Sequence, residues 1–256
     1  MIIGIIGSKG GVGKTTVVVN LATSLMELEK KVCIIDGNKT ISNIGLHLGI
    51  NNYPLTLHDA LRGNVKITDA IYVHPADHIH VIPGSLSLAD ARTADIRTLK
   101  RKIRELEKSY DYILLDAAPG FMDGPVKVLK ICDSILLITS PELSAFTDSL
   151  EIIKLLDRKG IVLSGIILNR VTGKEFELSP EEINSLYKKV PIVAAIKEDL
   201  DVQKSIAMKV PVTVLKPGSD ASRSFMDLAL AITGYKEKKD FKGLRKHLEK
   251  FFKSKR

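Results

Sequence analysis

Two features of this 256-residue chain predict an α/β fold, a mainly parallel twisted sheet with helices on both faces. Short β-rich apolar runs alternate with helical patterns through the body, the order that βαβ units produce. The first run, Ile2 to Ile6, leads straight into Lys-Gly-Gly-Val-Gly-Lys-Thr-Thr at Lys9 to Thr16 and then into the helical stretch Val17 to Leu28. Strand, glycine-rich turn and helix in that order form a phosphate-binding context.

In chain order, the predicted strands are Ile2 to Ile6, Lys31 to Ile35, Ile79 to Pro83, Tyr112 to Leu115, Ser134 to Thr139, Val162 to Leu168, Val190 to Ala194 and Val212 to Val214. Each is a short run rich in Val, Ile or Leu, as strands buried on both faces require. Helices are predicted over Lys14 to Glu29, Arg97 to Ser109, Thr147 to Lys159, Pro180 to Lys188, Leu200 to Met208 and Ala221 to Thr233. No internal repeat or low-complexity linker interrupts them, so residues 1–235 read as one domain and 236–256 as a separate tail.

In the turn, Gly10, Gly11 and Gly13 can adopt backbone angles closed to other residues, which lets successive amides point inward around a phosphate chain. Val12 is the one larger residue among them. The following helix directs its positive end to the same place. Lys14 is placed to reach terminal phosphates, Thr15 to ligate Mg²⁺, and Thr16 completes the loop. A nucleoside triphosphate is the expected ligand. The general pattern has glycine at position 8, where this chain has Ser8.

The narrower pattern with an extra lysine, here Lys9, is the deviant Walker A box. With Ile34-Ile35-Asp36-Gly37-Asn38, Val81-Ile82-Pro83-Gly84, Tyr112 to Gly120, Leu168-Asn169-Arg170-Val171 and Lys216-Pro217-Gly218-Ser219, the chain resembles the MinD/ParA family of P-loop ATPases, and its archaeal-type MinD branch most. The resemblance implies the P-loop NTPase fold, ATP or ADP with Mg²⁺ as ligands, and an ATP-dependent homodimer in which Lys9 reaches the partner's phosphates. Asp116 ends an apolar run in the form of a Walker-B aspartate that holds the metal's water shell. The resemblance places Asp36 near the metal too, in switch I, and Asp116 at the start of switch II. It also places Asn169, Arg170 and Pro217 at the base, where the Asn amide offers the donor and acceptor that adenine's edge needs.

Position 38 departs from the family, which has Asp-x-Asp where this chain reads Asp36-Gly37-Asn38. An amide can hydrogen-bond the attacking water but cannot take its proton, so slow ATP hydrolysis is expected. Asn also suits a plain turn.

Two well-separated cysteines, Cys33 and Cys132, exclude a disulfide framework and fit a reducing cytoplasm. The five-residue N-terminal apolar run is neither a signal peptide nor a membrane span. Of the net charge of +8, the tail from Lys236 to Arg256, with ten Lys/Arg against three Asp/Glu, carries +7 and leaves +1 for the body. In that tail Phe241, Leu244, Leu248, Phe251 and Phe252 recur at spacings of three and four, with Lys242, Arg245, Lys246, Lys250 and Lys253 beside or opposite them. Basic residues around an apolar, aromatic stripe describe an interfacial helix. The same stripe can pack on the body or engage a protein, and its basic side can bind nucleic acid.

The combined expectation is a MinD-like ATPase that dimerises on ATP, holds the inner face of the cell membrane through its tail, and takes part in spatial positioning such as division-site placement with an activating or cargo protein. A ParA-like DNA- or cargo-partitioning ATPase would need a basic surface on the near-neutral body. An iron–sulfur carrier would need closely placed cysteines, which are missing. A non-hydrolysing nucleotide-dependent scaffold stays open because of Asn38.

Overall fold

The structure is a computed structural model describing residues 1–37, 43–50, 53–75, 77–84, 96–117, 128–178, 182, 183, 185, 187 and 190–234. Asn38, Ala118-Pro119-Gly120, most of the helix expected over Pro180 to Lys188 and the tail from Lys236 to Arg256 lie outside them.

Among the described residues eight strands form one sheet: β1 (Ile2–Gly7), β2 (Val32–Asp36), β3 (Tyr72–Val73), β4 (His80–Ile82), β5 (Tyr112–Asp116), β6 (Ser134–Thr139), β7 (Gly165–Val171) and β8 (Ile192–Lys197). Their order is β3-β4-β2-β5-β1-β6-β7-β8, and every pairing is parallel except the short edge pair β3–β4. The helices are α1 (Lys14–Glu27), α2 (Asn43–Leu48), α3 (Leu57–Arg62), α4 (Ile96–Leu106), α5 (Leu143–Arg158), α6 (Leu200–Met208), α7 (Val212–Leu215) and α8 (Asp220–Thr233), with a 3₁₀ turn at Ile67–Ala70.

Period-two alternation divides the strands between two cores. Ile3, Ile5, Ile34, Leu114, Leu136 and Ile138 face α1, α2 and α8. On the other face Ile2, Cys33, Ile35, Ile113 and Leu115 meet α3 and α4, while Ile135 and Leu137 meet α5. Helices on both faces explain why the central strands are apolar throughout, with β1 buried at every position. Each fully buried Ile or Leu contributes about 1.5–3 kcal/mol of transfer free energy.

The parallel α/β architecture agrees with the sequence, but one strand does not. Val212 to Val214, expected as a strand, is the helix α7. Pro211 starts it, and Asn20 of α1 accepts from the Thr213 backbone N–H at 3.2 Å, so packing on α1 outweighs the β propensity of the valines. β7 begins at Gly165 because Val162 is exposed, and it runs on through Arg170 to Val171. α2, α3 and β3 were not expected. α3 did carry a signal, since Asp59 Oδ2 accepts from both the Thr56 backbone N–H and its hydroxyl, closing a capping box. Among the described residues no helix is long and apolar enough to cross a membrane.

Candidate functional site

The loop between β1 and α1 lies at the carboxyl ends of the strands, where open α/β sheets bind ligands. Ser8 continues the strand pairing, its N–H donating to the Ile138 carbonyl at 2.9 Å and its hydroxyl to Thr139 Oγ1 at 3.2 Å. Its backbone avoids the left-handed region, so glycine is not required at this position. Gly13 is different. It has φ +87°, and a Cβ there would collide with Asn169 Nδ2.

Asn169 lies so close because its amide donates to the Val12 carbonyl at 2.7 Å, tying the end of β7 to the loop. Arg170 next to it takes a left-handed φ of +59° at an irregularity in the β7–β8 pairing. That backbone twist is costly for a residue with a side chain.

Beneath the loop, Asp36 and Asp116 end β2 and β5 in register, and both are fully buried. One Asp116 oxygen accepts from Lys14 Nζ at 2.6 Å and the other from the Thr15 hydroxyl at 2.8 Å. The backbone fixes this aspartate from two sides, since its carbonyl accepts from the Gly37 N–H and the next amide, Ala117, donates to Ile5. Lys14 and Thr15 are almost as buried, at 9% and 7% exposure. A hydroxyl and two carboxylates are the hard oxygen donors that suit Mg²⁺, which keeps several waters and takes one or two protein carboxylates. The residues present therefore fit the metal.

A cleft of about 340 Å³ opens over Lys9 to Thr16, walled by His47, Arg170 and Ile206. A smaller hollow continues from Gly13, Thr16 and Asn169 past Glu198 and Asp199 to Phe225. Lys197 at its rim donates to Asp220, and with Arg223 holds that carboxyl down to about 2. Lys9 stays exposed, its Nζ donating to Ser144 Oγ in the first turn of α5 at 2.9 Å. The structure thus gathers Lys9 to Thr16, Asp36, Asp116, Asn169 and Arg170. Pro217 stands apart, exposed in the turn between α7 and α8, and is not among the described residues lining the cleft.

His47 and Ile206 were not legible in the sequence. His47 Nε2 lies 3.1 Å from Thr16 Oγ1, and Ile206 supplies an apolar wall from α6. Neither belongs to a motif, and only tertiary folding brings them to the loop.

The AAA domain family model matches residues 1–159. An uncharacterized ATP-binding protein of Methanocaldococcus jannaschii is 35% identical over 235 residues, covering 91% of this chain and 88% of its own length. The solved septum site-determining protein MinD of Pyrococcus horikoshii, complexed with Mg-ADP, is 34% identical with a TM-score of 0.79, covering 90% of this chain and 95% of that one. The chain belongs to the MinD/ParA family of P-loop ATPases. A further MinD/ParA member, the MinD of the Aquifex aeolicus MinC:MinD cell division protein complex, is 29% identical with a TM-score of 0.81, covering 91% of this chain and 96% of that one.

Proposed function

We propose that this chain is a MinD-like ATPase that binds Mg-ATP over Lys9 to Thr16, dimerises on it, and carries the dimer on a membrane surface through its tail to position another cellular assembly, such as the division site. The observation that carries the reading is the convergence of Lys14 and Thr15 on Asp116 beneath a glycine loop whose Gly13 admits no side chain. That arrangement suits a bound polyphosphate with its cation and little else. The Mg-ADP bound by the Pyrococcus horikoshii relative supports the same assignment.

In this mechanism Lys14 and the loop amides would hold the terminal phosphates, and Thr15, Asp36 and Asp116 would hold Mg²⁺, whose charge would offset that of the phosphate oxygens. Asn169 and Arg170 flank the base side. Hydrolysis transfers the terminal phosphoryl group to water, and positioning dominates that step. An amide at position 38, where the family has a carboxylate, can accept no proton from the attacking water, so turnover is slow. Asn38→Asp should raise steady-state phosphate release about 10-fold, within the range of general-base contributions, with little change in ATP affinity. Unchanged or lower turnover would place water activation elsewhere.

Lys9 is the residue that separates dimerisation from binding. It is exposed and tethered only to Ser144 among the described residues, so it is free to reach across to a second copy. Lys9→Ala should retain ATP binding yet stay monomeric in sedimentation velocity with ATP, where the unaltered chain dimerises. Dimers of undiminished stability in Lys9→Ala would remove this lysine from the assembly. An ATP-independent monomer for the unaltered chain would overturn the dimer itself.

A further inference from the structure

Neither the terminal phosphates nor the metal of the proposed site accounts for His47. It lies in the last turn of α2, where Ile44 and Leu48, four residues apart on one face, are buried in the core with Val17 and Leu21 of α1. Those two residues seat the helix. His47 stands on the flank of that face, half-buried, and brings Nε2 to 3.1 Å from Thr16 Oγ1 in the first turn of α1. A threonine in a helix commonly turns its hydroxyl back to the carbonyl four residues earlier, but Thr16 makes no such bond among the described residues. The carbonyl in question, that of Val12, accepts from the Asn169 amide at 2.7 Å. Among the described residues His47 is the side chain hydrogen-bonded to the Thr16 hydroxyl.

Thr16 stands where the two cavities meet, because the cleft over the loop and the hollow beyond it share Gly13, Thr16, Arg170 and Ile206. A nucleotide with its terminal phosphates at Lys14 and its base in the hollow passes Thr16 with its innermost phosphate. A hydroxyl has one proton to give and two positions at which to accept, whereas a phosphate oxygen at neutral pH only accepts. If Thr16 gave its proton to His47, its lone pairs would face the anion. The opposite order satisfies all three groups. We infer that His47 is a positioning residue for the nucleotide: its Nε2–H donates to Thr16 Oγ1 and thereby directs the single Thr16 proton to the innermost phosphate. Donors linked in series polarise one another, which strengthens the last bond of the chain. The innermost phosphate is common to ATP and ADP, so this contact serves both nucleotides equally.

This role rests on the proposed Mg-nucleotide site, and its test separates the two. Calorimetric titration of the full-length chain with Mg-ATP and with Mg-ADP is compared for the unaltered protein and its variants, each checked for folding by circular dichroism. His47→Leu keeps a good helix former in α2 and removes the donor. It should bind both nucleotides about tenfold more weakly, the scale of a lost hydrogen bond to a charged group. His47→Gln offers an amide N–H close to where Nε2 lay and should stay within about threefold of the unaltered chain. In a Thr16→Val background His47→Leu should cost nothing further, since the hydroxyl through which it acts is gone. Where Thr16→Val does not fold, the comparison of Leu with Gln decides alone. Unchanged binding in His47→Leu overturns the inference while leaving the nucleotide site in place. So does a Gln variant as weak as the Leu variant, which would give the ring a purely structural role. A loss confined to ATP would move His47 to the terminal phosphate, and additive losses with Thr16→Val would break the link through the hydroxyl; either result overturns the inference too. If the unaltered chain binds neither nucleotide, the proposed site falls and this role falls with it.

Discussion

Lys14→Met should abolish measurable ATP binding and also destabilise the apo protein, because the lysine serves two purposes. In the proposed function its Nζ supplies the charge at the terminal phosphates, and in the structure it neutralises Asp116, which has no solvent exposure. Removing one partner of a buried ion pair leaves the other uncompensated, at a cost of about 3–5 kcal/mol. In a domain of this size each kcal/mol lowers the melting temperature by roughly 2–4 °C, so a fall of about 10 °C is expected. Adding Asp116→Leu removes the stranded carboxylate and should restore most of that stability, since replacing a whole buried pair by apolar groups is often neutral. Binding should stay absent in the double variant. Calorimetric titration with Mg-ATP and thermal unfolding without nucleotide read the two effects separately. A double variant no more stable than Lys14→Met would mean that the stranded Asp116 carboxylate is not the source of the loss.

That pair also shows how far the sequence can be read. Lys14, Thr15 and Asp116 were legible because each belongs to a local pattern: two sit in the glycine turn and one closes an apolar run. Their meeting point requires only that β5 lie beside β1, which the parallel sheet supplies. Asn169 was legible as a residue at the end of a strand, whereas its bond to Val12 and its contact with the Gly13 position were not, because they join segments more than 150 residues apart in the chain. Val212 to Val214 misled because β-branched composition reports a preference that packing against Asn20 overrides.

Deleting residues 236–256 should remove ATP-stimulated sedimentation with anionic liposomes while leaving an ATP-binding body of unchanged thermal stability. α8 ends at Thr233, and Gly234 follows with a left-handed φ of 64°, a common helix stop. The proposed boundary after residue 235 therefore falls just beyond a completed helix whose core residues, Phe225 and Leu228, are already buried. In the tail, charge and apolar burial should be separable. Phe251→Glu with Phe252→Glu puts carboxylates into the apolar face and should abolish binding as fully as the deletion does. Raising salt should weaken only the contribution of the lysines and arginines, about 1 kcal/mol each near an anionic surface, and leave residual apolar binding. In the proposed assembly one tail alone holds weakly, so binding should depend on dimerisation: ATP should raise it by presenting two tails together, and Lys9→Ala should lower it without touching the tail. The opposite pattern, a drop in melting temperature on deletion with no liposome binding by the intact chain, would show that the apolar stripe packs against the body and that the membrane assignment is wrong.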